Sequence, residues 1–100
     1  MWMIVMFDLP VTDKPERRVA TQFRHFLLDQ GFHMAQFSNY YRLMGGRDAV
    51  ESMEKRIHDQ VPARGSVHIL TITDKQYENI RTYQGKRRES PEKAQQLVLF

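Results

Sequence analysis

The chain of 100 residues contains no cysteine, so neither a disulfide framework nor a thiolate metal site is available to it. It also lacks any apolar run near the ~20 residues that a membrane-spanning helix needs. The apolar start, residues 1–7, has no basic segment before it and meets Asp8 and Pro10 at once, which predicts a strand rather than an export signal. These absences predict a single domain with no membrane association, in a reducing cytoplasm.

The net charge is small as well, and the basic and acidic residues are unevenly distributed. Residues 1–80 carry ten basic and ten acidic side chains, whereas residues 81–100 carry five basic and two acidic ones, so the whole net charge of +3 lies near the C-terminus. A solvated tail and a phosphate-binding segment are both consistent with this excess.

The apolar pattern of the first 73 residues predicts strands and helices in alternation. Asp13 and Glu16 have the spacing of a capping box at the start of the first helix, and Gly31 supplies its end. Residues 36–39 are open to two interpretations, a bend in one strand or a tight turn between two. The predicted elements are strand Trp2–Phe7, a helix from Asp13 to Gly31, one or two strands in Phe32–Leu43, helix Asp48–Gln60 and strand Gly65–Thr73. This order predicts an α+β, ferredoxin-like (βαββαβ) sandwich.

The remainder of the chain predicts smaller elements. A short helical turn is expected at Asp74–Tyr77 and a strand at Ile80–Tyr83. We divide the chain into a ferredoxin-like domain, residues 1–85, and a basic linker with a C-terminal strand, residues 86–100. The apolar residues of that strand are expected to add to a sheet edge, either of the same chain or of a partner. They are Leu97, Val98, Leu99 and Phe100.

The strands near residues 2–7 and 67–72 are apolar on both sides, although the helices of this fold cover only one sheet face. Val67 and Ile69 are expected to point one way, and Leu70 and Ile72 the other. The second face therefore needs a cover, and a symmetric copy of the chain provides one. We predict a face-to-face homodimer.

Asp8 is the most informative acidic residue, because strand ends present side chains to ligands. A carboxylate there suits Mg²⁺, which takes one or two carboxylates and keeps most of its waters. Two copies related by a twofold axis would share one ion. The alternative is that Asp8 stops the strand and bonds nearby backbone in an Asx-turn.

The remaining polar residues indicate nucleic-acid binding more than nucleophilic catalysis. The four histidines lack metal-ligand spacing, and no serine has a base nearby in sequence. Phe37, Tyr40 and Tyr41 are interpreted as core or interface residues rather than as base-stacking residues. The candidate phosphate-binding residues are basic and fall into three sets, namely Lys14, Arg17 and Arg18, then Arg42, then Lys86, Arg87 and Arg88.

Four short motifs, in order along nearly the whole chain, together resemble the CRISPR-associated Cas2 family, in particular its type II branch. They are Met6-Phe7-Asp8-Leu9-Pro10, Gln36-Phe37-Ser38, Ile72-Thr73-Asp74-Lys75-Gln76 and Gln96-Leu97-Val98-Leu99-Phe100. Many members have tyrosine where this chain has Phe7, which removes a hydroxyl beside the acidic residue.

The resemblance implies a homodimer that works with the CRISPR integrase. Such a dimer would bind a double-stranded DNA prespacer and bridge integrase dimers during spacer acquisition. It also implies metal-dependent endonuclease activity on RNA or DNA, with Asp8 as catalytic residue and one Mg²⁺ shared between the two copies of Asp8. A toxin-like ribonuclease of the same fold and a non-catalytic ferredoxin-like binding module are the alternatives.

Overall fold

The computed structural model describes residues 1–85, which form four strands and three helices. In chain order they are β1 (Trp2–Asp8), α1 (Lys14–Asp29), β2 (His33–Gln36), β3 (Asn39–Leu43), α2 (Arg47–Gln60), β4 (Ser66–Ile72) and α3 (Asp74–Glu78). None of these described helices is long and apolar enough to cross a membrane.

The strands form one antiparallel sheet in the order β2-β3-β1-β4. The central strand β1 therefore pairs with both β3 and β4, while β2 and β4 form the two edges. This order and the two intervening helices confirm the predicted α+β, ferredoxin-like fold.

Helix α1 begins and ends where its sequence predicts. The Asp13 side chain accepts a hydrogen bond from the Glu16 backbone N–H at 2.8 Å, and the Glu16 carboxylate accepts one from the Asp13 N–H at 3.3 Å. This reciprocal capping box satisfies two donors that a helix start leaves free. After the helix, Gly31 adopts a φ of +89°, a left-handed conformation that glycine adopts without steric cost.

Both long helices pack on one face of the sheet. Alternate residues of β1, namely Met3, Val5 and Phe7, are buried on that face. Each large apolar side chain buried in this way contributes roughly 1.5–3 kcal/mol. The core also contains Leu9, Ala20, Phe23, Leu27, Phe32, Tyr40, Met44, Val50, Met53 and Ile57.

The other sheet face is only partly covered. Helix α3 lies at one end of it, where Tyr77 packs on Trp2 and Asp74 accepts a 2.8 Å hydrogen bond from the amino group of Met1. Val67 and Ile69 lie on the same side of β4, as predicted, and pack against the core, whereas Leu70 remains 47% exposed. We call the rest of this surface the open face; it is lined by Ile4, Met6 and Asp8 of β1 and by Ser66, His68 and Leu70 of β4.

Two local predictions are decided by the structure. Residues 36–39 form a tight turn at Phe37 and Ser38 between two strands. The predicted strand Ile80–Tyr83 is wrong: the chain has no strand there, because it leaves the sheet after α3 and meets no partner strand among residues 1–85. The predicted linker and C-terminal strand, residues 86–100, lie outside the described residues.

Candidate functional site

Asp8 is the last residue of β1 and its side chain is exposed. It lies directly opposite Ser66 on β4, and the preceding residue of the open face, Met6, lies between His68 of β4 and Asn39 of β3. Within residues 1–85 the Asp8 carboxylate makes no hydrogen bond, so the Asx-turn alternative has no support. The carboxylate is therefore free to bind a ligand at the end of the open face.

Gly65 packs directly against the end of β1. Its φ is +94°, and a Cβ atom at this position would lie 2.5 Å from the carbonyl oxygen of Asp8 and 2.9 Å from Cδ2 of Leu9. Only glycine combines this backbone conformation with so close an approach. The α2–β4 loop and the Asp8 end of the sheet are thus held together through backbone contact.

One chain alone supplies few metal ligands at this point. The part of the chain that the structure describes contains no group of three or more histidine, cysteine, aspartate and glutamate side chains able to hold a metal ion. Mg²⁺, however, needs only one or two carboxylates when it keeps several waters. An exposed, uncommitted Asp8 fits such an ion, provided that a second copy contributes the other carboxylate.

The loop after Asp8 is organised by Glu16. Its Oε1 accepts a hydrogen bond from the Thr12 backbone N–H at 3.1 Å and another from the Thr12 hydroxyl. The Thr12 hydroxyl is the main cause that lowers the pKa of Glu16, against partial desolvation, which raises it. Arg17 also supports this loop, because its Nη1 donates to the carbonyl oxygens of Val11 at 3.4 Å and Thr12 at 3.5 Å.

The predicted basic residues divide between the two ends of the sheet. Lys14 and Arg18 lie in the first turns of α1, at the Asp8 end, and form no ion pair within residues 1–85. Arg42 lies opposite Met3 of β1, five residues or about 17 Å of strand away from Asp8. The structure therefore places Arg42 away from the other set, and Lys86, Arg87 and Arg88 lie outside the described residues.

Sequence reasoning missed one basic residue at the Asp8 end. Arg64 directly precedes Gly65, its side chain is 79% exposed, and its Nη1 lies 3.5 Å from Oε2 of Glu16. Its position beside Asp8 depends on the pairing of β1 with β4, which is distant in sequence. Gly65, the glycine directly before β4, was the signal in the sequence that could have identified this position, together with the pairing of the first and last core strands in the predicted fold.

The three aromatic residues of the β2–β3 region have different environments. Tyr40 is a core residue, only 2% exposed, and this burial raises its pKa, with the Arg24 charge acting in the opposite direction. Phe37 lies in the turn with the Arg24 guanidinium 4.4 Å from its ring centre. Tyr41 lies on the opposite sheet face, near Trp2 and Tyr77. These positions agree with the interpretation of Tyr40 as a core residue.

Comparison with known proteins adds a consistent set of relatives. The sequence model of the family described as CRISPR associated protein Cas2 matches residues 1–80. A CRISPR-associated endoribonuclease Cas2 of Paracidovorax avenae is 48% identical over 101 residues, covering 100% of this chain and 94% of that protein. Proteins of the same name are 42% identical in Flavobacterium psychrophilum, covering 100% and 88%, and 36% identical in Streptococcus mutans, covering 100% and 92%.

Proposed function

Because the chain belongs to the CRISPR-associated Cas2 family, we propose that it acts as a homodimeric, Mg²⁺-dependent phosphodiesterase that also binds double-stranded DNA for spacer acquisition. The observation that supports this proposal best is the position of Asp8, an uncommitted carboxylate at the end of a partly covered sheet face that carries the apolar side chains of Ile4, Met6 and Leu70. The names of the relatives, all endoribonucleases, support the hydrolytic part.

The open face is proposed as the dimer interface. Leu70 on this face is 47% exposed, and Ile4 lies directly opposite it on β1. Removing apolar surface from water contributes about 25 cal/mol per Å². A twofold axis through this face would bury these side chains. It would also bring the two copies of Asp8, one from each chain, to one region.

Leu70→Lys tests this interface, with Val61→Lys as the matched control. Both wild-type side chains are exposed to a similar degree, 47% and 40%, but Val61 lies beyond the end of α2 and not on the open face. In sedimentation velocity, Leu70→Lys is expected to shift the protein to monomer and Val61→Lys to leave it dimeric. A wild-type monomer, or a dimeric Leu70→Lys variant, would contradict the proposed interface.

In the proposed hydrolysis, water attacks the phosphorus of a phosphodiester and one P–O ester bond breaks, which leaves a phosphomonoester and a sugar hydroxyl. The two Asp8 carboxylates would hold Mg²⁺ beside that phosphodiester. When bound, Mg²⁺ supplies Lewis-acid stabilisation of the charge that develops on the phosphate. Ser66 and His68 are the other polar residues of the open face, and they would lie beside a phosphate bound at Asp8. The apolar remainder of that face, once buried, limits access of bulk water from the sheet side.

Asp8→Asn tests the hydrolytic site, because it keeps the shape of the side chain and removes its charge. The variant is expected to lose Mg²⁺-stimulated cleavage of both RNA and DNA, and to lose Mg²⁺ binding measured by calorimetry. Asp29→Asn, at the far end of α1, changes the same chemical group away from the site and should keep both properties. Unchanged cleavage by Asp8→Asn would exclude Asp8 as the catalytic ligand.

The DNA-binding part rests on Lys14 and Arg18. They lie at the Asp8 end of the molecule without ion-pair partners in residues 1–85, so they are available for phosphate contacts, which carry little sequence information. We propose that the dimer holds a duplex in this way between integrase dimers. Co-elution of this protein, the integrase and a DNA duplex in gel filtration tests the assembly, and Asp8→Asn should still enter it. Failure to co-elute would favour a stand-alone ribonuclease.

A further inference from the structure

We propose that Arg64 is a further nucleic-acid contact that binds a backbone phosphate beside Asp8 and is positioned there by Glu16. The inference rests on the proposed nucleic-acid binding and adds to it one phosphate contact, Arg64, and one positioning residue, Glu16. The chemical group recognised is a phosphodiester, which DNA and RNA share.

Backbone contact places Arg64 at the candidate site. The next residue, Gly65, approaches the carbonyl oxygen of Asp8 so closely that no side chain fits between them. Neighbouring Cα atoms are about 3.8 Å apart, so the Arg64 backbone lies next to this contact. Its side chain is about as long as two residues of extended strand, so it can reach a ligand bound at the Asp8 end of the sheet.

The Arg64 guanidinium is paired with Glu16 but remains available. One of its nitrogens lies 3.5 Å from Glu16, and the side chain is 79% exposed. An exposed ion pair of this kind contributes only about 0–1 kcal/mol. Arginine has five N–H donors and binds phosphate with two of them at once, so most of its donors remain free for a ligand.

Glu16 is a fixed anchor rather than a competing ligand. Its Oε1 already accepts hydrogen bonds from Thr12 and Asp13, while its Oε2 faces Arg64. Its side chain is only 14% exposed, so its position is set by the β1–α1 loop. The carboxylate thus orients Arg64 before binding, which reduces the entropy that the side chain loses when it contacts a phosphate.

The local charge also favours an anionic ligand. At this end of the molecule, four basic side chains outnumber three acidic ones: Lys14, Arg17, Arg18 and Arg64 against Asp8, Asp13 and Glu16. Lys14 and Arg18 carry no ion pair within residues 1–85, and Arg64 shares only part of Glu16. Together, these three cations border the end of the sheet where Asp8 is exposed, and a nucleic-acid backbone is the polyanion that matches such a border.

The test is the salt dependence of binding by the full chain. Anisotropy titrations use a DNA duplex and an RNA of the same sequence, between about 50 and 200 mM salt. Arg64→Gln should lower the magnitude of the slope of log K against log salt by about one for each copy that contacts the nucleic acid. Arg64→Lys should keep the wild-type slope with weaker binding, because lysine retains the charge and loses the paired donors.

Arg56→Gln is the matched control. Arg56 also makes one weak side-chain contact, from Nη1 to Oε1 of Gln30 at 3.2 Å, but at the other end of α1, about 20 Å along the helix from Glu16. The slope of log K against log salt for Arg56→Gln should equal that of the wild type. Unfolding curves of all variants would identify any loss of folding.

The outcomes separate this inference from the proposed function. A reduced slope on both nucleic acids, or on only one, supports the contact and assigns it to that ligand. A wild-type slope in Arg64→Gln overturns the role of Arg64, while salt-dependent binding by the wild type still supports the proposed function. A wild-type protein that binds neither nucleic acid overturns both.

Discussion

The indole ring of Trp2 and the phenol ring of Tyr77 are stacked, with ring centres 3.9 Å apart and planes inclined by 9°. Trp2 begins the central strand and Tyr77 belongs to the short helix α3, so this pair joins the helix to the sheet. The amino group of Met1, bonded to Asp74 of the same helix, adds a second contact. The stack therefore covers the end of the sheet face that is remote from Asp8.

Tyr77→Ala should separate α3 from the sheet. Aromatic pairs of this kind contribute about 0.5–1.5 kcal/mol beyond the area they bury, and the free energy of unfolding should fall by at least that amount. Trp2 is the single tryptophan of the chain, so its fluorescence reports directly on the loss of the stack. Tyr83→Ala is the control, since Tyr83 is 85% exposed. Identical emission spectra for wild type and Tyr77→Ala would contradict the stacking.

Gly65→Ala should destabilise the protein. The added Cβ would meet the Asp8 backbone in a left-handed conformation, and strain of this kind costs of order 1–3 kcal/mol. Urea unfolding measures the loss. Gly45→Ala is the matched control, because a Cβ at Gly45 meets no atom within 4 Å. Equal stability of the two variants would show that the close approach of Gly65 is not required.

The lowered pKa of Glu16 predicts that the free energy of unfolding decreases at acidic pH. Since its pKa in the folded protein lies below the ordinary value of 4.5, its ionised form stabilises the fold above that pH, and this contribution disappears as the pH falls through the folded pKa. Glu16→Gln keeps an acceptor for the helix cap but removes the charge. It should therefore unfold at a lower urea concentration than wild type at pH 7, and the difference should vanish once the pH is below the folded pKa of Glu16.

A stability difference between wild type and Glu16→Gln that persists at low pH would mean that the shape of the side chain, and not its charge, supports the loop. Glu16→Ala serves as the reference for this comparison, because it removes the acceptor and the charge together. Its cost should remain at both pH values, as expected for the loss of part of a helix cap.

The raised pKa of Tyr40 predicts that the free energy of unfolding decreases at alkaline pH. Burial raises its pKa above the ordinary value of 10, so the stability that its neutral form provides is present below that pH and is lost as the pH rises through the raised pKa. Tyr40→Phe cannot ionise and should lose less stability than wild type above about pH 10. At pH 7 the two should differ by less than about 1 kcal/mol. Thermal unfolding across this range measures both, with Tyr83→Phe as control.

Sequence reasoning predicted the elements whose signals are local. The Asp13 and Glu16 spacing identified the start of α1, and Gly31 its end, because capping depends on residues three or four positions apart. The fold class followed from the order of elements along the chain. The capping residues and the order of elements can both be identified from the sequence without knowledge of long-range contacts.

Other features depend on contacts that the sequence does not contain. Ile80–Tyr83 has the composition of a strand, but a strand needs a partner, and Ile80 is 50% exposed where the chain leaves the sheet. The turn at Phe37 and Ser38 has neither glycine nor proline, so its local sequence did not distinguish a turn from a bend. Arg64 was missed for a related reason, because only the packing of Gly65 on Asp8 brings it to the site.

The position of β4 at the sheet edge has a consequence for handling the protein. Among residues 1–85, β4 pairs only with β1, so one side of this seven-residue strand carries backbone N–H and C=O groups without strand partners. Such edges template unwanted pairing between molecules, so a fragment of residues 1–85 is expected to aggregate in concentrated samples through pairing of β4 with β4 of a second molecule.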